Sequence, residues 1–358
     1  MSSTQCTFVA ISDTHNLADR LTLPYADVLL HAGDATLNGK YSELERFVSW
    51  LKAQPHPTKI FCGGNHDLCL DASQSFVGRW AQGREGAAAR ADHARALELF
   101  TDESARAAGI VLISDGHIAV TPKGNFSVWG SAFVPEVWGG FNLPRGWALA
   151  ERFASLADAS TGVDIVLAHS PPARSCDAVC NSDPPMRRHV GSAELAAALD
   201  QRGPAAAPAV VVCGHIHEGF GCARRAQGTL VINAASLDSD YQLTHPPVLF
   251  ALERGADGRA VIDVMHPTLD ELSAWERTHK DPCLPKGVSS LADLPEEVEI
   301  PVKLALPPTR LRSKRPASAD AVVAAAAVDD AAAVVVVGAA EGGARDPGVG
   351  DDGDGRAL

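Results

Sequence analysis

Short apolar runs alternate with helical stretches through the first two thirds of the chain. Seven such runs, rich in Val, Ile, Leu and Phe, span 8–11, 28–30, 59–62, 165–168, 210–213, 229–233 and 248–252. Runs this short and continuous are typical of strands buried on both faces of a sheet. Between them lie predicted helices at 41–52, 92–107 and 192–201, with Ser42 and Ser192 as candidate N-caps. The pattern predicts a layered α/β architecture.

The composition changes near residue 280. Every Phe, Tyr and Trp lies at or before Trp275, and the remainder is rich in Ala, Val, Pro and Asp. Because a segment without aromatic residues rarely builds its own core, we expect a domain over 1–270 and a low-complexity, largely disordered tail over 271–358. The run 321–340 is apolar, but Asp329 and Asp330 at its middle would each cost about 2.5 to 3.5 kcal/mol at a bilayer centre, so no membrane span is expected.

The charge balance excludes some partners. The chain has 31 Lys and Arg against 44 Asp and Glu, a net charge of −13, which repels the phosphates of long nucleic acids and of anionic lipids. A small molecule is therefore the expected partner. The N-terminus shows no basic region followed by an apolar stretch, so we expect a cytoplasmic protein. The cluster Arg310, Arg312, Lys314 and Arg315 leaves a nuclear address open as the alternative to a solvated linker.

The eight cysteines are expected to be free thiols, as in a reducing compartment. The spacing of Cys176 and Cys180 is that of a zinc knuckle, but no second pair lies at zinc-ribbon distance. Two loop thiols are the favoured interpretation.

Polar side chains follow five of the apolar runs directly. They are Asp13 and His15 after the first, Asp34 after the second, Asn65, His66 and Asp67 after the third, His169 after the fourth, and His215 and His217 after the fifth. Since the carboxyl ends of strands in an α/β sheet line one crevice, these residues are expected to converge. Oxygen and imidazole ligands without thiolate suit Mn²⁺, Fe²⁺, Co²⁺ or Zn²⁺, and there are more of them than one ion needs. The sequence therefore predicts two metal ions.

The spacing within the motifs adds a geometric expectation. Asp13 and His15 stand at i and i+2, as do His215 and His217, and in an extended backbone such residues point to the same side. Each pair is thus expected to reach a common centre. Glycines precede the motifs (Gly33, Gly63, Gly64 and Gly214), which predicts tight turns there.

These residues carry a resemblance. Asp13-Thr14-His15, Gly33-Asp34, Gly64-Asn65-His66-Asp67, His169 and Gly214-His215-Ile216-His217 are similar to the five ordered motifs of the calcineurin-like metallophosphoesterase superfamily. The resemblance covers roughly Thr7 to Met265. The stretches 29–34, 140–146 and 216–221 further resemble the subfamily of metallophosphoesterase domain-containing proteins. The implied fold is a sandwich of two mixed β-sheets flanked by helices.

The resemblance also implies roles for the residues. It places Asp13, His15 and His217 on one ion, Asn65, His169 and His215 on the other, and Asp34 between the two. Mn²⁺ is the favoured metal. His66 would supply a proton or hydrogen bond to the leaving oxygen, with Asp67 orienting its ring. The implied activity is hydrolysis of small phosphodiesters, cyclic nucleotides among them, by a metal-bridging hydroxide; a phosphomonoesterase and a weakly active nucleotide-binding or scaffold protein are the alternatives.

Candidate substrate contacts lie in one long loop of the chain. In the loop 138–145, Arg145 is the side chain best suited to a substrate phosphate, and Asn142 is a second candidate substrate-binding residue. This loop either lines the substrate pocket or packs as a long connection, and the sequence favours neither. His31, three residues before Asp34, is either a packed residue or a functional one.

Overall fold

The computed structural model describes residues 5–71, 84–113, 116, 118–135, 137–181, 185–278, 291–296 and 336–337. Within these ranges the chain forms two mixed β-sheets flanked by helices, which confirms the predicted α/β sandwich. All seven apolar runs are strands, with ends that differ from the predicted ones by at most two residues.

The first sheet has six strands in the order β16-β15-β1-β2-β3-β4. Strands β1 to β4 run parallel to one another. β15 pairs antiparallel with β1, and β16 pairs antiparallel with β15. The bounds are β1 Cys6–Ile11, β2 Val28–His31, β3 Thr58–Cys62, β4 Ile110–Ile113, β15 Val248–Arg254 and β16 Ala260–His266.

The second sheet has the order β13-β14-β12-β9-β6-β5-β17. Its bounds are β5 Ile118–Val120, β6 Ser127–Ser131, β9 Ile165–Ala168, β12 Val210–Cys213, β13 Gly221–Arg224, β14 Leu230–Asn233 and, at the β5 edge, the two-residue β17 Val336–Val337. Two small ribbons complete the β-structure: β7 Val134–Pro135 with β8 Asn142–Leu143, and β10 Ala178–Asn181 with β11 Met186–His189.

The helices of the described ranges are α1 Tyr41–Ala53, α2 Arg84–Thr101, α3 Glu103–Ala107, α4 Trp147–Arg152, α5 Ala154–Ala157, α6 Ala193–Gln201, α7 Gly203–Ala206 and α8 Leu269–Thr278. Ser192 is confirmed as the N-cap of α6, because its hydroxyl accepts a hydrogen bond from the Leu195 N–H at 3.0 Å. The predicted cap at Ser42 is wrong: this residue lies inside α1, and the Glu43 carboxylate accepts from the N–H groups of Lys40 and Asn38 instead. The predicted helix 92–107 is two helices, α2 and α3. The Asp102 side chain accepts a hydrogen bond from the Ala105 N–H and so caps the start of α3.

One hydrophobic core extends across both sheets. Phe8 on β1 stacks on Phe250 of β15 with ring centroids 5.1 Å apart, and its edge meets Phe126, which leads into β6 of the other sheet, at 6.1 Å. The strands β1, β2, β9 and β12 are buried along almost their whole length, which is why their sequences read as uninterrupted apolar runs.

The fold continues past the predicted domain boundary at residue 270. Helix α8 crosses this boundary; its Leu272 is buried, and Trp275 packs edge-on against Phe220 at 4.6 Å. Leu294 is buried beside Ala178. Apart from 271–278, 291–296 and 336–337, the predicted tail lies outside the described residues, and so does the cluster Arg310–Arg315.

Two further expectations concern thiols and membranes. None of the seven cysteines within the described residues, Cys176 and Cys180 among them, is in a disulfide bond. No helix in this part of the chain combines the length and apolar character needed to cross a bilayer.

Candidate metal centre

The candidate ligands come from five loops at the carboxyl ends of strands in both sheets. Asp13, Asp34 and Asn65 follow β1, β2 and β3 of the first sheet, whereas His169 and His215 follow β9 and β12 of the second. The two edges are joined by hydrogen bonds: the His215 N–H donates to the Asp13 carboxylate at 2.9 Å, and the Ser236 N–H donates to the Ser12 carbonyl at 2.8 Å. The predicted convergence is therefore present in the structure.

Left-handed backbone, rather than extended backbone, orients these side chains. The φ angles are +51° at Asp13, +36° at His15, +55° at Asp34 and +67° at His215. Non-glycine residues seldom adopt such angles, and where they do so in a group they mark functional sites. The expectation that each i, i+2 pair shares one centre is wrong for His215 and His217, because the turn between them sends the two rings to different clusters.

Two clusters of side chains result, and all their members are buried except His215, which is half-buried. Cluster 1 consists of Asp13, His15 and His217, and cluster 2 of Asp34, His169 and His215; within each, the candidate ligand atoms all lie within 4.8 Å of one another. In cluster 1, the Nε2 atoms of His15 and His217 are 3.4 Å apart, and His217 Nε2 is 3.5 Å from Asp13 Oδ1. Each cluster has the size and donor types of a divalent-ion site.

Asp34 faces both clusters. Its Oδ2 is 3.7 Å from His15 Nε2 of cluster 1, and its Oδ1 is 3.3 Å from His169 Nε2 of cluster 2. The Asn65 side-chain oxygen also approaches His169 Nε2, at 3.0 Å, and so extends cluster 2. The His66 N–H donates to Asp34 Oδ1 at 2.8 Å, which fixes the carboxylate in this orientation.

Backbone carbonyls orient the imidazole rings. The Nδ1–H groups of three rings donate to carbonyl oxygens: His15 to Thr36 at 3.1 Å, His169 to Ala32 at 2.8 Å and His217 to Asp238 at 2.9 Å. Because a carbonyl only accepts, Nδ1 of the neutral ring carries the proton and Nε2 carries the lone pair. This is the arrangement that presents Nε2 to a metal, so the residues fit divalent ions.

The charges of the centre act on each other. Burial disfavours a charged ring, but the Asp34 charge and its hydrogen bond outweigh burial and raise the pKa of His169 to about 9. The hydrogen bond to Asp13 likewise raises the pKa of His217 to about 9 against its burial. Burial lowers the pKa values of His15 and His215 to about 3. Burial opposes the ionisation of Asp34, yet the neighbouring imidazoles hold its pKa well below the usual range.

Comparison with known proteins decides the family. The model of the family described as calcineurin-like phosphoesterase matches residues 6–219, more than half of the chain. The chain belongs to this family. Over 247 residues it is 34% identical to metallophosphoesterase domain-containing protein 1 of Homo sapiens, covering 68% of this chain and 70% of the human protein. It is also 30% identical to the UPF0046 protein T07D4.2 of Caenorhabditis elegans, covering 68% of this chain and 59% of the worm protein.

The role predicted for Asp67 in this phosphoesterase is wrong. The His66 ring is oriented by a backbone carbonyl, that of Leu37, to which its Nδ1–H donates at 2.7 Å. The buried Asp67 carboxylate accepts instead from the N–H groups of Gly64 at 2.9 Å and Thr36 at 3.0 Å. Burial and the charge of Asp34 raise the pKa of Asp67 to about 6. Asp67 therefore ties the Asp34 and Asn65 loops of the phosphoesterase together.

The two predicted substrate contacts bind the phosphoesterase's own backbone. The guanidinium of Arg145 donates to the carbonyls of Val190 at 2.7 Å and Gly191 at 3.0 Å, and the Asn142 amide donates to the Val137 carbonyl. The loop reaches the centre through Trp138, whose carbonyl accepts from Asn65 Nδ2 at 2.8 Å.

Sequence reasoning missed several residues that touch the phosphoesterase's clusters. The Tyr241 ring lies 4.9 Å from that of His15 and 5.1 Å from that of His217, centroid to centroid. Asp238 and Thr36 act through backbone carbonyls, which have no signature in a sequence. His31 is a buried positioning residue: it accepts from the Gly33 N–H at 3.2 Å and contacts the Thr14 hydroxyl at 3.0 Å.

Metal loading is expected to release protons. His169 and His217 have pKa values of about 9, so both rings are protonated at pH 7 in the metal-free protein. A metal needs the Nε2 lone pair, so binding must displace these protons, and affinity should rise with pH up to about 9 and then level off. Calorimetric titration with Mn²⁺ at pH 7 in two buffers of different ionisation enthalpy should give about two protons released per loaded chain. Loading without proton release would contradict this.

Gly214 is expected to tolerate no side chain. A Cβ there would collide with the Asp13 carboxylate and the Ser12 hydroxyl, whereas one at Gly162 would meet nothing within 4 Å. Gly214→Ala should therefore lower the free energy of unfolding by about 1 to 3 kcal/mol and weaken metal binding, because Asp13 has to move. Gly162→Ala, the matched control, should change neither beyond about 0.5 kcal/mol. Denaturant unfolding and metal analysis of the two variants check this prediction. A wild-type metal content in Gly214→Ala would refute it.

Proposed function

We propose that this phosphoesterase hydrolyses small phosphodiesters, cyclic nucleotides among them, at a pair of divalent ions. The observation that carries the proposal is the position of Asp34, whose two carboxylate oxygens face different clusters at 3.7 and 3.3 Å. One carboxylate shared in this way suits two adjacent cations. Asp13, His15 and His217 would hold one ion, and Asn65, His169 and His215 the other, with Asp34 shared.

The ions supply Lewis-acid chemistry: they lower the pKa of bound water and neutralise charge on the phosphoryl oxygens. The rings of His15, His169 and His217, each oriented by a backbone carbonyl, would hold these ions in position. The donor set of carboxylate, amide oxygen and imidazole suits Mn²⁺, Fe²⁺, Co²⁺ and Zn²⁺. Mn²⁺ is the metal that we propose.

His66 is the proton donor to the leaving oxygen. One of the ring nitrogens of His66 lies within 4.8 Å of candidate ligand atoms of both His15 and Asp34. His15 and Asp34 are buried, whereas His66 is only half-buried. Its Nδ1–H is committed to the Leu37 carbonyl, so Nε2 is the nitrogen that exchanges a proton. A half-buried imidazole beside the reacting phosphate is well suited to general acid catalysis.

Charge favours a diester over a monoester. Within the described residues, the side chains that pair with the Asp13 and Asp34 carboxylates are imidazoles, those of His15, His169 and His217. A monoester dianion asks for more positive charge than a diester monoanion does. The net charge of −13 further disfavours a long nucleic acid as substrate. Phosphomonoester hydrolysis is the second candidate.

The test is hydrolysis of bis(p-nitrophenyl) phosphate and of p-nitrophenyl phosphate by the full chain with Mn²⁺, with Asp34→Ala as the blank. The proposal expects diester turnover above monoester turnover and loss of both in the variant. A monoester preference would replace it with a phosphomonoesterase. No turnover of either ester by protein that holds two metal ions would refute the enzyme and favour a nucleotide-binding or scaffold role.

A further inference from the structure

Three exposed apolar residues lie in loops that contact the candidate metal centre. Leu37, Trp138 and Tyr241 are 37%, 67% and 43% exposed, and we call them the apolar rim. Large apolar groups on a surface are ordinary when scattered, but informative when grouped around one polar site. The rim residues come from three separate loops of the chain, so their grouping is a property of the fold and not of a local sequence.

Each rim residue is tied to a different part of the centre. The Leu37 carbonyl accepts from His66 Nδ1 at 2.7 Å, and the Trp138 carbonyl accepts from Asn65 Nδ2 at 2.8 Å. The Tyr241 ring packs directly on the rings of His15 and His217. The rim thus borders cluster 1, cluster 2 and the His66 side of the centre.

The backbone holds two of the rim residues firmly. Tyr241 has a φ of +58°, and its N–H donates at 2.9 Å to the Asp238 carbonyl, the same carbonyl that orients His217. After Trp138, the Gly140 N–H donates to the Asn65 carbonyl at 2.8 Å, and a Cβ at Gly139 would collide with that carbonyl. The backbone that carries Trp138 and Tyr241 is therefore fixed at the centre, so a ligand that binds there does not have to order these two segments.

We propose that the apolar rim is a subsite for an aromatic ring attached to the substrate phosphate, a nucleobase or an aryl group, with Trp138 and Tyr241 as its stacking surfaces. This inference rests on the proposed function, because it names the substrate group that the metal centre's surroundings select. Flat aromatic side chains stack on any base, so the subsite selects for a ring and not for one base. Cyclic phosphodiesters without an attached aromatic ring are expected to be poor substrates.

The test compares two cyclic phosphodiesters with the full chain and Mn²⁺. One, 2′,3′-cyclic AMP, carries an aromatic base, and the other, glycerol 1,2-cyclic phosphate, carries none. The wild type should show a kcat/KM at least about tenfold higher for cyclic AMP. Trp138→Ala and Tyr241→Ala should each lower that selectivity about 5- to 100-fold, mainly through the KM of cyclic AMP. Tyr241→Phe, which keeps the ring, should retain most of it.

Matched controls come from two exposed aromatic residues for which the described part of the chain shows no ring packing on a cluster histidine, in contrast to Tyr241. Tyr25 and Trp147 are 64% and 62% exposed, and Tyr25→Ala and Trp147→Ala should leave both substrates unchanged. Equal losses on both substrates in the rim variants, or no preference in the wild type, would overturn the inference. Thermal unfolding of each variant separates such losses from misfolding.

A binding measurement keeps the inference separate from the proposed function. Calorimetric titration of the metal-loaded chain with AMP should give a Kd that rises about 5- to 100-fold in Trp138→Ala and Tyr241→Ala. If neither diester is hydrolysed but AMP binding weakens in this way, the proposed function fails and the subsite stands. If hydrolysis occurs but neither substitution changes the Kd of AMP, the proposed subsite is refuted and the proposed function stands.

Discussion

Asp34→Asn is expected to lower the kcat of diester hydrolysis at least ~10³-fold and to reduce the bound divalent ions from two per chain towards one. The amide keeps the shape of the side chain but replaces one of the two oxygens, which face His15 and His169, by an N–H₂ group. Asparagine also tolerates the left-handed backbone at this position, where φ is +55°, so the substitution isolates the shared carboxylate from backbone strain.

Metal analysis of the purified variant and its steady-state kinetics check this prediction. Asp164→Asn is the control, because its carboxylate bonds Ser127 and Arg254 outside the centre, so its metal content and turnover should match those of the wild type. Two tightly held ions in Asp34→Asn, together with a kcat above one tenth of the wild-type value, would show that this carboxylate is not shared.

His66→Ala is expected to slow cyclic nucleotide hydrolysis by about 10² to 10⁴ while both metal ions stay bound. The ring lies beside the centre and is held through the Leu37 carbonyl, so its removal takes away a proton donor without opening either cluster. The loss should be much smaller on bis(p-nitrophenyl) phosphate, because p-nitrophenolate leaves without needing a proton. The contrast between the two substrates is the signature of a general acid.

His93→Ala is the matched control for this substitution. The His93 ring also donates from Nδ1 to a backbone carbonyl, that of Cys69, at 2.7 Å, but it is in neither cluster. Its removal should leave both rates unchanged. Equal slowing of both substrates by His66→Ala, or loss of a metal ion, would assign His66 to metal binding or to folding.

The strands and the convergence of the ligands could be predicted from the sequence because burial leaves a direct trace. Runs such as 165–168 and 210–213 are apolar throughout since both faces of those strands are covered, and the structure places strands at these same residues. The polar residue that follows such a run has to stand at the carboxyl edge of the sheet. For Asp13, Asp34 and His169, this simple rule was sufficient.

The local geometry could not be predicted, because it depends on backbone groups. The spacing argument failed to predict the division of His215 and His217 between two clusters, which only the family resemblance implied, because it follows from a left-handed turn for which neither histidine is a sequence signal. Asp67 binds the N–H groups of Gly64 and Thr36, and every residue type other than proline offers such a donor. Tyr241 reaches the centre from a distant loop that carries no motif.

The loop after β2 supplies the acceptors for three of the functional rings. The carbonyls of Ala32, Thr36 and Leu37 receive the Nδ1–H groups of His169, His15 and His66. Since every residue type brings the same carbonyl, replacing these three side chains leaves the acceptors in place. Inserting or deleting a residue would shift all three at once, so the length of this loop constrains the evolution of the centre more tightly than its side chains do.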